Sequence, residues 1–145
     1  LVFALVLTLI LTVSIIATND INRHRLGVSR DAPQIADALR PIMTRDDIAL
    51  LPLPHSAPVR FYLFPRDVIN AEFHTQYSPL PPDYLRTVGE RRVFAFICTD
   101  SCAINSLEEL IALYGFDIAP DAITFMPIQE FSSGTLGELN LNSPT

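Results

Sequence analysis

The two cysteines of the 145-residue sequence lie four positions apart, in Cys98-Thr99-Asp100-Ser101-Cys102. A metal centre needs further thiolate or imidazole ligands at short spacing. His24, His55 and His74 are scattered singly, so no metal site is expected. In an oxidising compartment the two thiols can close a small disulfide, and in a reducing one they stay as thiols; the Cα separation that decides is a property of the fold. Thr99, Asp100 and Ser101 follow the strongest strand candidate of the chain, Val93-Phe94-Ala95-Phe96-Ile97-Cys98. Open α/β sheets place ligands beyond the C-terminal ends of their strands, which makes these three residues candidate ligand contacts. No glycine-rich phosphate loop accompanies them.

Other arrangements that carry catalysis are missing from the sequence. It has no Gly-x-Ser-x-Gly elbow, no Walker loop, no His-Glu-x-x-His and no Asp-x-Asp. Asp46 and Asp47 precede an apolar run and read as a solvated turn. Glu108 and Glu109 belong to a helix start, since Ser106-Leu107-Glu108-Glu109 is a capping box in which the Ser106 hydroxyl takes the Glu109 amide and Glu109 reaches back. Histidine is the commonest general base, and nothing in the sequence builds a catalytic set around any of the three. No catalytic residue and no cofactor is expected in this stretch of chain.

Composition narrows the partners. The net charge is −6 and every one of the ten basic residues is Arg. An acidic chain without a basic stripe is not expected to bind nucleic acid, because phosphate neutralisation dominates that affinity. A hydrophobic fraction of 49% is too high for a disordered tail.

The elements that must position these residues alternate along the chain. Asp31 as N-cap and Pro33 in the first turn open a helix over residues 32–43, with Ile35, Ala38, Leu39, Ile42 and Met43 on one face. Ile48-Ala49-Leu50-Leu51 is a short continuous apolar run, as in a strand covered on both faces. Ser56-Ala57-Pro58 starts a short helix through Val59-Arg60-Phe61-Tyr62-Leu63-Phe64, whose aromatic cluster reads as core. Residues 67–73 form a second strand, residues 74–82 a loop and residues 83–88 a short helix. Residues 93–98 are the central strand, and residues 107–114 an amphipathic helix ended by Gly115. Residues 122–126 form a last strand, placed at a sheet edge by Pro127. From Ser132 the chain turns polar and small and is expected to fray. The expected fold is α/β: a small Rossmann-like three-layer domain with a mostly parallel sheet, preceded by an N-terminal transmembrane helix.

That helix is read from LVFALVLTLILTVSIIA, residues 1–17, which carry no charge and only three hydroxyls, Thr8, Thr12 and Ser14. With Thr18 the run spans roughly 27 Å, close to the hydrocarbon core of a bilayer. The lipid bilayer is therefore an expected partner. The domain plan is a membrane span over residues 1–18, a juxtamembrane connector over 19–28, a soluble α/β domain over 29–131 and a flexible tail over 132–145. Beginning inside the apolar run, the chain reads as the C-terminal piece of a longer protein. Arg23, Arg25 and Arg30 favour the cytosol for the residues after the span, while helices further upstream would ordinarily set the topology.

One ordered set of segments carries a resemblance. Ile35-Ala36-Asp37-Ala38-Leu39-Arg40-Pro41, Asp46-Asp47-Ile48-Ala49-Leu50-Leu51, Val59-Arg60-Phe61-Tyr62-Leu63 and Arg92-Val93-Phe94-Ala95-Phe96-Ile97, following an apolar run and a basic connector, resemble the C-terminal end of bacterial polytopic membrane glycosyltransferases. These are the relatives of protein mannosyltransferases and of the aminoarabinose transferase of lipid A. The resemblance implies a sugar donor carried on a polyprenyl phosphate, an acceptor met on the periplasmic side, and an upstream transmembrane region of the same chain as a partner. It places the soluble domain at the inner membrane, periplasmic or extracellular, as a non-catalytic cap. In that family the catalytic carboxylate lies in an early extramembrane loop, so no catalytic residue is carried over to this sequence. The alternative is a single-pass anchored α/β module that binds and does not catalyse.

Overall fold

The computed structural model describes residues 30–63, 71–75, 77–78, 80–81, 84–99, 102, 104–114 and 119–141, together with Thr12 and Ser14. Its organising strand is β3 (Val93–Cys98), apolar at every position. Side chains alternate across a strand, so Phe94, Phe96 and Cys98 enter one apolar cluster while Val93, Ala95 and Ile97 enter another. Such a strand must be covered on both faces. β1 (Ile48–Leu50), equally apolar and fully buried, pairs with it in parallel on one edge. β5 (Gly134–Leu141) pairs with it antiparallel on the other edge. β2 (Glu72–His74) lies parallel to β1, and β4 (Ile123–Phe131) lies antiparallel to β5, which gives the order β2-β1-β3-β5-β4.

Helices close the two faces. α1 (Ala32–Leu39) and α2 (Ser56–Leu63) bury Ile35, Ala36, Leu39, Val59 and Leu63 on the Phe94 and Phe96 side. On the other side lie α3 (Tyr84–Thr87) and α4 (Leu107–Tyr114), the latter burying Leu110, Ile111 and Tyr114. Each fully buried Leu, Ile or Phe contributes roughly 1.5–3 kcal/mol relative to exposure. The Ser106 hydroxyl accepts the Glu109 amide at 3.1 Å, as the capping box requires, and the Glu109 carboxylate reaches back to the Asn105 amide at 2.7 Å.

Several expectations are corrected. The sheet is mixed, with two parallel and two antiparallel pairings, and is not the mostly parallel sheet of a Rossmann-like unit. Residues 134–141 are no frayed tail: they are β5, inserted between β3 and β4. Its glycines are packing residues. A Cβ on Gly137 would lie 2.5 Å from the Phe125 ring and 2.6 Å from the Met126 carbonyl oxygen, so the ring can cross the strand only over glycine.

The N-terminal transmembrane helix is corrected as well. Among the described residues no helix is long and apolar enough to cross a membrane. Of residues 1–18 only Thr12 and Ser14, both helical, are described, and the proposed connector over residues 19–28 lies outside the described residues. The same holds for residues 67–70 of the expected second strand, and β2 starts later, at Glu72. Phe61 and Tyr62, expected in the core, are 73% and 44% exposed and meet edge to face on the outer side of α2.

The N-terminal ends of the parallel strands are held by ion pairs. Asp47, expected in a solvated turn, is buried. Its carboxylate accepts Arg92 Nη2 at 2.7 Å, Arg92 Nε at 3.3 Å and the Thr44 amide at 2.7 Å. Arg92 also donates to the Ile42 carbonyl, and Arg91 Nη1 donates to Glu72 Oε2 at 2.6 Å. Asp46 is the exposed member of the acidic pair.

Because Leu136 is fully buried against the Phe94 and Phe96 cluster, Leu136→Ala is expected to cost about 2–5 kcal/mol in urea denaturation. A change within about 0.5 kcal/mol, the scale of an exposed position, would contradict its place in the sheet.

Candidate functional site

The direction in which the chain leaves two neighbouring strands creates the site. β1 exits toward α2 on one face, and β3 exits toward α4 on the other. Where connections from adjacent parallel strands part to opposite faces, a crevice opens beyond the strands' C-terminal ends, the usual ligand position in open α/β sheets.

One wall comes from the segment after β1. It passes through Leu51 and Pro52, both buried, and the cis Leu53–Pro54 bond to His55, which opens α2 by accepting the Val59 amide at 2.9 Å. The His55 ring is 3% exposed and lies 4.5 Å from the Phe96 ring. Phe131, at the end of β4, lies 6.1 Å from the same Phe96 ring.

The second wall is the turn between β4 and β5. Asp31, expected to cap α1, stands at the N-cap position, yet its carboxylate makes no capping bond to that helix. It turns instead to a turn about a hundred residues further along the chain. Asp31 Oδ2 accepts the Ser133 hydroxyl at 2.6 Å, the Ser133 amide at 2.8 Å and the Ser132 hydroxyl at 2.9 Å, and Oδ1 accepts the Ser132 hydroxyl at 3.1 Å. Hydrogen bonds to an ionised acceptor are the stronger kind.

The third wall follows β3. Cys98 and Cys102 are joined in a disulfide with a Cα separation of 6.1 Å, inside the ordinary range. Thr99, between them, donates its amide to the Ser133 carbonyl at 3.1 Å and its hydroxyl to the Ser132 carbonyl at 3.4 Å. Thr99, a candidate ligand contact from strand topology, thus lies against the turn between β4 and β5. Asp100 and Ser101 lie outside the described residues.

Sequence reasoning did not assemble Asp31, His55, Ser132 and Ser133. Asp31 had a sufficient local explanation as a cap. The one available signal was Ser132-Ser133-Gly134 between apolar residues, a short glycine-containing segment of the kind that joins hairpin strands.

Electrostatics differ between the two titratable members. Burial works against ionisation of Asp31, but the hydrogen bonds from Ser133 and Ser132 outweigh it and hold the carboxyl below its usual range. Burial pushes His55 down to about 4 against the opposing attraction of Asp31. At neutral pH the crevice thus holds a carboxylate, three hydroxyls and an uncharged imidazole. Such a set can share hydrogen bonds with a neutral polar ligand, while the half-buried Phe131 ring supplies apolar surface and the rings of His55 and Phe96 lie buried behind it.

A second polar group lies on the opposite face. His74 Nε2 is 3.1 Å from the Tyr84 hydroxyl and 3.5 Å from Glu72, which Arg91 holds. Burial, reinforced by Glu72, raises the Tyr84 hydroxyl to about 12. Each member is engaged with another, and together they fasten the edge strand β2 to α3. Among the described residues no group of three or more His, Cys, Asp or Glu could hold a metal ion. The chain matches no protein-family model, no curated protein and no solved structure, so the crevice geometry carries the functional reading.

The His55 environment sets a pH dependence. Unfolded, this side chain takes up a proton near 6.5; folded, only near 4. Its contribution to stability is therefore complete above pH 6.5 and lost as pH falls toward 4, by about 3 kcal/mol in total. His55→Phe, which keeps a ring against Phe96, is expected to remove that part of the slope when unfolding free energy is followed from pH 7 to pH 4. An unchanged slope would contradict it.

Proposed function

We propose that residues 30–141 form a non-catalytic cap on the acceptor side of a larger membrane glycosyltransferase that uses a polyprenyl-phosphate sugar, and that the crevice binds a saccharide portion of the acceptor. The observation that carries this reading is the convergence of polar groups on one turn: the Asp31 carboxylate and the hydroxyls of Thr99, Ser132 and Ser133 meet there next to the half-buried Phe131 ring. A sugar has the matching surface. Its hydroxyls both donate and accept, and its C–H faces lie against aromatic rings, so a few convergent polar groups over an apolar wall suit it. The Ser132 side of the Asp31 contact is exposed, and it is the bond a ligand hydroxyl exchanges most readily.

The disulfide supports the non-cytoplasmic side for this domain, since such bonds persist in oxidising compartments. Periplasmic or extracellular placement at the inner membrane accords with a lipid-borne donor used there. A cap of this kind contributes by positioning. Holding an acceptor beside a lipid-linked donor turns an encounter of two molecules into a reaction within one complex, and well-oriented groups gain several kcal/mol from this alone.

Titration of the 145-residue chain with mannose and with N-acetylglucosamine, followed by amide NMR shifts, tests the reading. Shifts at Thr99, Ser132 and Ser133 are expected with a dissociation constant on the order of 1 mM, weakened about tenfold or more in Asp31→Asn. No shift at these three amides with either sugar would overturn it.

A further inference from the structure

We propose that the outer face of α2 is a docking surface for a lipid bilayer with anionic headgroups: Phe61 and Tyr62 enter the headgroup layer, and Arg60 meets lipid phosphate beside them.

The face is apolar on the side where a surface helix carries its charges. Residues four apart share a side of a helix, so Ala57 stands next to Phe61 and Pro58 next to Tyr62. Ser56, Val59 and Leu63 are the residues that α2 buries. Ala57, Phe61 and Tyr62 are exposed, and Pro58 is half-buried. Leu53, in the turn before the helix, is exposed as well. A surface helix ordinarily sets polar residues opposite its core stripe, and one that is apolar on both sides belongs inside something larger. α2 is of the second kind, with Arg60 as its one charged residue.

Size decides between a second copy and a bilayer. An aromatic side chain offers about 150–250 Å², so at 73% and 44% exposure Phe61 and Tyr62 together leave roughly 200–300 Å² in solvent. A stable pair of subunits covers about 800 Å² on each partner, far more than these two rings supply. A bilayer needs no matching surface. Binding at its interface scales with the apolar area withdrawn from water and with attraction between basic residues and anionic lipid.

The side-chain chemistry fits that boundary. Tyrosine joins an apolar ring to a polar tip and suits a place with one dry end and one wet end. The Phe61 and Tyr62 rings, 5.5 Å apart and edge to face, form one wedge. Arg60 is exposed, with its guanidinium 5.8 Å from the Phe73 ring. Long basic side chains lay their stems along apolar surface and keep the charged head free to meet headgroups. α2 carries no carboxylate. On neighbouring α1 the Asp37 carboxylate is bonded to Arg40, which also donates to the Tyr62 carbonyl at 3.1 Å. The exposed Glu108 and Glu109 belong to α4, in the layer across the sheet. Docking through α2 is independent of whether the crevice holds a sugar.

The sequence contains no tryptophan, so Phe61→Trp in the 145-residue chain places a single indole on the face. Leu113→Trp, at an exposed position of α4, is the control in the opposite layer. Each variant is mixed with vesicles of phosphatidylcholine and phosphatidylglycerol in equal parts, with and without brominated acyl chains. Blue-shifted emission and quenching of about twofold or more by the brominated chains are expected for Phe61→Trp and not for Leu113→Trp. Adding Arg60→Gln to Phe61→Trp is expected to weaken its partition about fivefold. Unshifted, unquenched emission from Phe61→Trp overturns the proposal. So does an equal response of the two variants, which would be adsorption without a preferred face. A blue shift of Phe61→Trp that grows with protein concentration in the absence of vesicles also overturns it and makes a second copy the occupant.

Discussion

A strand that is apolar on both faces has only one tolerable place in a small domain, and β3 occupies it. Phe94 and Phe96 must be covered by one layer of helices and Val93 and Ala95 by another, while both edges must be paired to satisfy the backbone. β1 covers one edge in parallel, through crossovers that swing to opposite faces. β5 covers the other edge as part of a hairpin, antiparallel. The change from parallel to antiparallel at β3 is thus the chain's solution for enclosing a single strand with about a hundred residues, and the crevice is a by-product of it.

The two ends of the sheet are fastened differently. At the N-terminal ends of the parallel strands, Arg92 grips the buried Asp47 and Arg91 grips Glu72. At the C-terminal ends the ties are hydroxyls, one carboxylate and backbone groups of a turn, several of them exposed. Local opening follows the weaker, more exposed bonds. The C-terminal end is accordingly the end more prone to local opening, and the opposite end is the one that keeps the strands in register.

Much of this was legible in the chain and some could not have been. β1 and β3 announce themselves as unbroken apolar runs, and α4 through its capping box, because those signals are local. β5 was hidden because its tight positions are glycines: Gly137 makes room for Phe125, and the space taken by a neighbour's ring leaves no trace in the strand's own residues. Asp47 looked solvated because its partner, Arg92, is 45 residues away. Phe61 and Tyr62 misled in the opposite sense, since aromatic residues on a short helix say nothing about which side faces the sheet. For the site, Thr99 was a candidate from topology alone, as a residue after a central strand. Asp31 and Ser133 were not, because a contact across about a hundred residues needs the fold before it can be seen, and each residue had a complete local explanation as cap or as tail.

The link between Asp31 and the turn joins the two ends of the domain's chain and frames the crevice, so the most direct measurement is its coupling energy. In a double-mutant cycle of Asp31→Ala and Ser133→Ala, with unfolding free energies measured at pH 7, a coupling of about 2 kcal/mol is expected for a hydroxyl donating to an ionised carboxylate. Additivity of the two substitutions to within about 0.3 kcal/mol would mean that the turn is not held by Asp31 and that the crevice lacks the wall described.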